Sequence, residues 1–342
     1  MMVLAIESTC DETGAAVAVS FGEPMAVKIL SDVKASSAEI HAKYGGVIPE
    51  IAAREQIAAI IPVITEAMER AGVNEKEIEA IAVTQGPGLI GSLLIGVETA
   101  KALAMVWKKP LIAVNHMAAH VFANWIGKKT PKFPAVALIV SGGHTDLMCL
   151  ESLTRWQWVG GTRDDAAGEA FDKAARAMGF PYPGGAMVAK AAEEATMDLP
   201  AGLKLPRPMI HENNLEMSFS GLKTALTQVI EQNGERLSEN PGLINALARE
   251  FNQAVADVLI KKTMKAVEQY QPKSVLLAGG VAANVTLREG LAGAVKESSK
   301  EFFCPDLKYC TDNAAMIAAC ALLRPNYVDP LKLRPDPGLG IR

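Results

Sequence analysis

Apolar residues near the start of the chain fall into two short runs, 3–6 and 15–19, separated by the polar stretch STCDETG. Runs of that length around a turn read as strand, turn, strand, with Gly14 supplying the backbone freedom the turn needs. A similar unit recurs near the middle: apolar 135–140, the turn Ser141-Gly142-Gly143-His144-Thr145, then 146–150. Recurrence at about half the chain length predicts two related domains, each opening on a hairpin, with a cleft between them. Between the hairpins the pattern predicts a helix over 48–71, a strand over 81–84, a helix over 89–105, a strand over 111–114 and a helix over 116–125. That alternation marks an α/β protein. Beyond the second hairpin it predicts an alanine-rich helix over 166–178, stopped by Gly179 and the proline-glycine loop 181–185. Helices over 223–230 and 243–270, a strand over 274–278, the Gly279-Gly280 turn and a helix opening near Ala283 follow. A last apolar helix runs from Asp312 to Leu323, closed by Pro325, and the remainder reads as an extended tail.

Composition narrows the class. With 342 residues the chain is long for a single core, which again favours two domains. It is 49% hydrophobic and 21% charged, the balance of a folded protein and not of a disordered one. The opening MMVLAIEST lacks a basic segment followed by an apolar stretch and cleavage site, so export is not expected. No apolar run reaches the ~20 residues that cross a bilayer, since 89–106 is interrupted by glycines, Glu98 and Lys101. A cytoplasmic protein with no membrane partner is expected. The five cysteines are odd in number and show no C-x-x-C pair, which fits reduced, buried thiols. A net charge of -4 argues against general nucleic-acid binding. The basic groups Lys108/Lys109, Lys128/Lys129/Lys132 and Lys261/Lys262/Lys265 read as solvated surface, so charge alone gives no reason to expect RNA.

Four features carry chemistry. Gly86-Pro87-Gly88-Leu89-Ile90-Gly91 satisfies the G-x-G-x-x-G pattern, but it follows a late strand, and the next strand ends at Asn115 instead of a ribose-binding carboxylate. Tight helix-strand packing accounts for it. His116 and His120 lie four apart on a helix, so both imidazoles project from one face and can share a metal ion, or can serve as exposed or hydrogen-bonded side chains. A zinc endopeptidase of the H-E-x-x-H type would need Glu where Met117 stands. Asp312 is the best third ligand; it also reads as an N-cap, and one carboxylate could do both. Two histidines and a carboxylate leave open coordination positions, suited to Fe(II) or a catalytic Zn(II). The Gly142-Gly143 and Gly279-Gly280 turns expose N–H groups to a phosphate or are plain turns, and the acidic turn at Asp11 and Glu12 would meet them at the expected cleft.

Ten motifs in order carry a resemblance: IESTCDETG at 6–14, HAKYGGVIPEIAARE at 41–55, TQGPGLIGSLLIG at 84–96, VNHMAAH at 114–120, VSGGHT at 140–145, GEAFDKAARAMG at 168–179, YPGG at 182–185, SFSGLKT at 218–224, GGVAAN at 279–284 and YCTDNAAMIA at 309–318. Together they resemble the bacterial tRNA threonylcarbamoyl-adenosine transferase family. The resemblance implies the actin-like ATPase fold: two related RNase H-like domains, 1–131 with 312–342 and 132–311, and an ATP- or AMP-type nucleotide in the cleft. It implies transfer of a threonylcarbamoyl group from threonylcarbamoyl-AMP to N6 of the adenosine adjacent to the anticodon, in tRNAs reading codons that begin with A, with release of AMP. By the same resemblance His116, His120 and Asp312 are the metal ligands, Fe(II) foremost and Zn(II) or Mg²⁺ as alternatives. Ile139, Val140, Ser141, Gly142, Gly143, Asp172, Gly185 and Asn284 contact the donor, and Asp11 and Glu12 position or deprotonate the attacking amine. TsaB and TsaE are the implied protein partners. Thr9 stands where many members have Ser, and Gln56 where many have His; Gln56 receives no role. A kinase of the same fold and a non-catalytic nucleotide-sensing subunit are the rival readings, and neither needs the two histidines.

Overall fold

In the structure, a computed structural model, the first apolar run becomes β1 (Met2–Glu7), antiparallel to β2 (Glu12–Phe21), with Glu7 opposite Gly14. All residues are described except 24, 38–40, 42–47, 128 and 342, and the side chains of 201, 238 and 241. Lys128 and much of the motif at 41–55 therefore lie outside the described residues. The chain forms two compact units, Met1–Pro131 with Pro305–Arg342, and Lys132–Cys304.

In the first unit β3 (Ala26–Ser36) extends the hairpin, a strand the sequence pattern did not reveal. Helix α1 (Pro49–Ala71) begins with proline in its first turn, where no amide partner is lost, and ends on Gly72 in the left-handed region at φ 68°. Then β4 (Ala80–Gly86) pairs parallel with β1, α2 (Ile90–Trp107) crosses over, and β5 (Leu111–Asn115) pairs parallel with β4. Leu4, Ile6, Val17, Ile64, Ile81, Val97 and Leu111 share one core. At 18 residues and mean hydropathy 1.4, α2 is long and apolar enough to cross a membrane. Its ends, however, feed two hydrogen-bonded neighbours of one sheet, and Leu93, Val97, Ala100 and Ala104 are buried along it. It is a crossover helix. The short α3 (His116–Phe122) follows β5 without a break.

The second unit repeats the plan. β6 (Ala135–Val140) and β7 (Thr145–Leu150) form the hairpin, and β8 (Trp156–Gly161) extends it. Five helices come next: α4 (Ala167–Ala177), α5 (Gly184–Glu193), α6 (Ser220–Gln232), α7 (Gly234–Glu239) and α8 (Pro241–Tyr270). Then β9 (Ser274–Ala278) pairs parallel with β6, and α9 (Val285–Glu297) leads to β10 (Glu301–Phe303), parallel with β9. The strand orders are β3-β2-β1-β4-β5 and β8-β7-β6-β9-β10, the same sheet built twice. Where a proline-glycine loop was expected, Gly184 and Gly185 open α5. Lys262 is no surface residue: it is 0% exposed, and its ammonium donates to Glu212 O at 3.1 Å, Asn214 O at 3.0 Å and Asn214 Oδ1 at 3.3 Å. Three carbonyl acceptors replace the water that a buried cation loses.

The last stretch, in the first unit, holds α10 (Ala314–Leu323) and β11 (Tyr327–Val328), which adds an edge antiparallel to β5. The segment beyond is held along its length. Leu333 is buried in the core, Gln85 Nε2 donates to Arg334 O at 3.1 Å, and Asp336 N donates to Gln85 O at 2.8 Å. Gly88 N reaches Pro337 O at 3.3 Å, and Asn115 Nδ2 reaches Leu339 O at 3.3 Å and Gly340 O at 3.1 Å. Two of the three glycines of the G-x-G-x-x-G stretch, Gly86 and Gly88, have their reason here. A Cβ on Gly86 would lie 1.8 Å from Asp336 O, and one on Gly88 would lie 2.9 Å from Thr9 O, so they admit other backbone instead of packing a helix on a strand. All five cysteines are thiols, with Cys149, Cys310 and Cys320 buried.

Candidate metal centre and substrate loop

Asn115 ends β5 and caps α3, its Oδ1 accepting from Ala118 N at 3.0 Å. One helical turn then separates His116 from His120, and their rings meet edge to face with centroids 4.7 Å apart. Asp312 arrives just before α10. The cap of that helix is Asn313, whose Oδ1 accepts from Met316 N at 2.8 Å, so the dual role expected of Asp312 does not arise. Lying one residue outside the cap, Asp312 turns its carboxylate to the imidazoles. His116 Nε2 and His120 Nε2 stand 3.4 and 3.3 Å from Asp312 Oδ1, and one ligand atom from each residue falls within 4.8 Å of the others.

The donor set fits a metal ion. His120 is buried, its Nδ1 has no hydrogen-bond partner among the described residues and its Nε2 faces only the Asp312 carboxylate without an aligned hydrogen bond, an expensive state unless a cation takes a lone pair. His116 Nδ1 faces Glu7 Oε2 at 3.2 Å, the outer carboxylate that fixes a ligating imidazole with Nε2 free for the ion. Burial favours neutral imidazole, but Asp312 and Glu7 outweigh it at His116 and raise its pKa to about 10. At His120 burial prevails and the pKa falls. Burial would raise the Asp312 carboxyl, yet the two histidines hold it well below the ordinary carboxylate range. Its side chain keeps 27% exposure, so the centre can be reached from solvent.

Sequence reasoning passed over two buried residues here, Glu7, which braces this centre, and Gln56, which holds the neighbouring turn. Glu7, 0% exposed, also accepts from Thr9 N at 2.6 Å and Thr84 Oγ1 at 2.5 Å. A carboxylate closing an otherwise apolar strand was its signal, since such a group cannot stay buried without partners. Gln56 on α1, 1% exposed, donates from Nε2 to Cys10 O at 3.0 Å and Glu12 O at 3.1 Å, with Ser8 O at 3.5 Å. It pins the turn between β1 and β2. On that turn Glu12 is engaged by Lys34 at 3.3 Å and by Ser36 Oγ at 3.2 Å. Burial raises both the Asp11 and Glu12 carboxyls above their ordinary values.

The remaining expected residues lie in the second unit. Ile139 and Val140 are wholly buried in β6, whereas Gly142 and Gly143 are exposed in the turn that follows. The turn is fixed at its base: Ser141 Oγ accepts from His144 N at 3.2 Å, and Ser141 O accepts from Gly168 N at 3.2 Å at the start of α4. Further along α4, Asp172 Oδ1 accepts from Gly184 N at 3.0 Å, which joins it to the N-terminus of α5 and to Gly185. Asn284 caps α9 through Oδ1, accepting from Leu287 N at 3.1 Å, and donates from Nδ2 to Asn252 Oδ1 at 2.6 Å. Asn284 also borders a cavity of about 260 Å³ with Asn252, Arg249 and Glu193.

The model of the tRNA N6-adenosine threonylcarbamoyltransferase family, TsaD, matches residues 28–319. The chain belongs to that family. A threonylcarbamoyltransferase from Dehalococcoides mccartyi is 48% identical over 324 residues, 95% of this chain and 94% of the relative. One from Symbiobacterium thermophilum is 46% identical over 342 residues, 99% of this chain and 97% of the relative. Two solved structures share the fold at 12% identity. The activator of the 2-hydroxyisocaproyl-CoA dehydratase from Clostridium difficile, with bound ADPNP, has TM-score 0.51 and covers 94% of each chain. Full-length HypF in its phosphate- and nucleotide-bound form has TM-score 0.57 over 94% of this chain and 46% of that one. The fold is the actin-like ATPase fold, and membership in the threonylcarbamoyltransferase family favours a transferase over the kinase and sensor readings.

Proposed function

We propose that the chain moves the threonylcarbamoyl group of threonylcarbamoyl-AMP to N6 of the adenosine beside the anticodon, in tRNAs reading codons that begin with A. The N6–carbon bond forms, the carbon–oxygen bond to the AMP phosphate breaks, and one proton leaves N6. The observation that carries the reading is the buried His116, His120 and Asp312 set braced by Glu7, in a chain of this family. A kinase of the fold has no use for such a set.

The metal is Fe(II) in this reading, with Zn(II) the alternative; when bound it supplies Lewis-acid polarisation of the donor or a clamp upon it. His116, His120 and Asp312 hold it, and Glu7 keeps His116 in the ligating tautomer. The exposed Gly142-Gly143 turn offers N–H groups to the AMP phosphate. The second oxygen of Asp172 accepts from the ribose, as a carboxylate with one oxygen engaged still can. Asp11 receives the N6 proton: burial lifts its affinity for protons, while Glu12 beside it has one oxygen engaged by Lys34 and Ser36. Net charge -4 leaves tRNA capture to shared surface, the role of TsaB- and TsaE-type partners, in the cytoplasm.

The test is a reconstituted assay with those partners, threonylcarbamoyl-AMP and an unmodified tRNA, scoring the modified nucleoside by mass spectrometry and metal by elemental analysis. His116→Ala and Asp312→Ala should each lose metal and at least about 100-fold of the transfer rate. Transfer at the wild-type rate in both would refute the proposal.

A further inference from the structure

The segment Arg334–Gly340 touches two loops that bear on the centre. Its Asp336 carbonyl fills the space that the missing Cβ of Gly86 leaves, and Asp336 N, Arg334 O and Pro337 O are tied to Gln85 and Gly88. The same loop presses on the β1–β2 turn: Leu89 N donates to Thr9 O at 2.9 Å, and Thr9 Oγ1 lies 3.5 Å from His116 Nδ1. The second contact is more direct. Asn115 uses its carbonyl oxygen to cap α3 and its amide N–H groups to hold Leu339 O and Gly340 O. One side chain thus fastens the tail to the first turn of the helix that carries both histidines. A seven-residue helix has little stability of its own, so its register depends on what grips its ends.

We propose, on the metal-site reading above, that Arg334–Gly340 is a strap that positions His116 and His120 through the Asn115 cap. It contributes no ligand. Its function is to keep α3 wound from its first residue, so that both Nε2 atoms are presented together.

Two variants separate the strap from the cap. A chain ending at Arg334 keeps Leu333 in the core and loses the strap. Asn115→Ser keeps an oxygen to cap Ala118 N but cannot reach Leu339 or Gly340. The metal-free readout is amide exchange at Ala118, Ala119 and His120, which should speed up in both variants while β1 and β4 amides keep their wild-type rates. The second readout is Zn(II) affinity by competition with a chelator, expected to fall about 10-fold in each. In the doubly altered chain the losses should not add, because both changes cut one link. Unchanged exchange in α3 overturns the strap, and so does faster exchange with unchanged Zn(II) affinity. Additive losses overturn the route through Asn115. A wild-type chain that fails to bind Zn(II) would refute the metal-site reading and, with it, the strap's stated purpose.

Discussion

Gly168→Ala probes the loop proposed to hold the donor without replacing any residue of that loop. Gly168 sits in the first turn of α4, against the backbone that leads into the Gly142-Gly143 turn. A Cβ built there lies 2.5 Å from Ser141 O and 2.8 Å from Gly142 Cα, where ordinary contact begins at 3.4 Å. The obstacle is backbone and not a flexible side-chain tip, so the loop must retreat by about 0.9 Å, the difference between 3.4 and 2.5 Å. That retreat also stretches the Gly168 N–H bond to Ser141 O, already 3.2 Å long. Overpacking of this kind costs about 1–3 kcal/mol, which in a domain of this size lowers Tm by roughly 2–12 °C. Activity should suffer more than stability, because a displacement near 1 Å at a reacting group can cost about 100-fold. The assay measures kcat and KM for threonylcarbamoyl-AMP beside a thermal melt. Gly293→Ala is the control: nothing lies within 4 Å of its Cβ, so it should raise Tm slightly and leave transfer unchanged. Wild-type transfer and an unmoved Tm in Gly168→Ala would refute both the packing argument and the role given to the loop.

Asp172→Asn should make the protein more stable and less active. Burial raises the Asp172 carboxyl against the opposing Gly184 and Gly185 amides. The native state therefore holds the proton more tightly than the unfolded chain, and wild-type stability declines as pH climbs from about 4 through the raised native value. The Tm advantage of Asp172→Asn should be full at pH 7 and vanish below about pH 4, with a higher KM for the donor; parallel wild-type and variant profiles would contradict this. Gln56→Leu strips the N–H donors from Cys10 O and Glu12 O, each worth about 1–3 kcal/mol, and should lower kcat at unchanged metal content. Gln56→His, which retains one N–H, should recover part of kcat, and equal rates in all three proteins would remove the residue from the mechanism. Lys262→Met leaves three carbonyl acceptors without their cation, and chemical denaturation should show a loss of about 2–4 kcal/mol with transfer by the folded fraction intact.

The hairpins were legible because strands buried on both faces must be apolar, and turns carrying glycine and charge punctuate them. β9 was read to the residue, between Lys273 and Gly279. β3 and β8 escaped since their polar and apolar positions mix, Lys28, Asp32 and Lys34 in one and Gln157 in the other, as befits strands covered on fewer sides. The candidate metal residues were legible as types at a helical spacing, 116 and 120, but their union with Asp312 joins positions nearly 200 apart, which no local pattern encodes. Asp312 and Asn313 illustrate the limit: both residue types cap helices, and only the geometry decides which one does. Gln56 was invisible for a related reason. A polar residue in an amphipathic helix reads as solvent-facing unless the acceptors it meets, here 44 to 48 residues away, are already in place. The tail was read as extended, but its fastening escaped notice because it lies in backbone carbonyls that any sequence possesses.

The twice-built sheet also says something about how such an enzyme can arise. The same corner, the turn of the opening hairpin, carries Asp11 and Glu12 in one copy and bare Gly142-Gly143 amides in the other. In the proposed reaction the first turn serves as proton acceptor and the second as anion receptor, opposite in charge preference and about 130 residues apart on the same repeated plan. Each can drift without disturbing its twin, so lesions in the first copy should surface as slow chemistry and lesions in the second as poor retention of the donor.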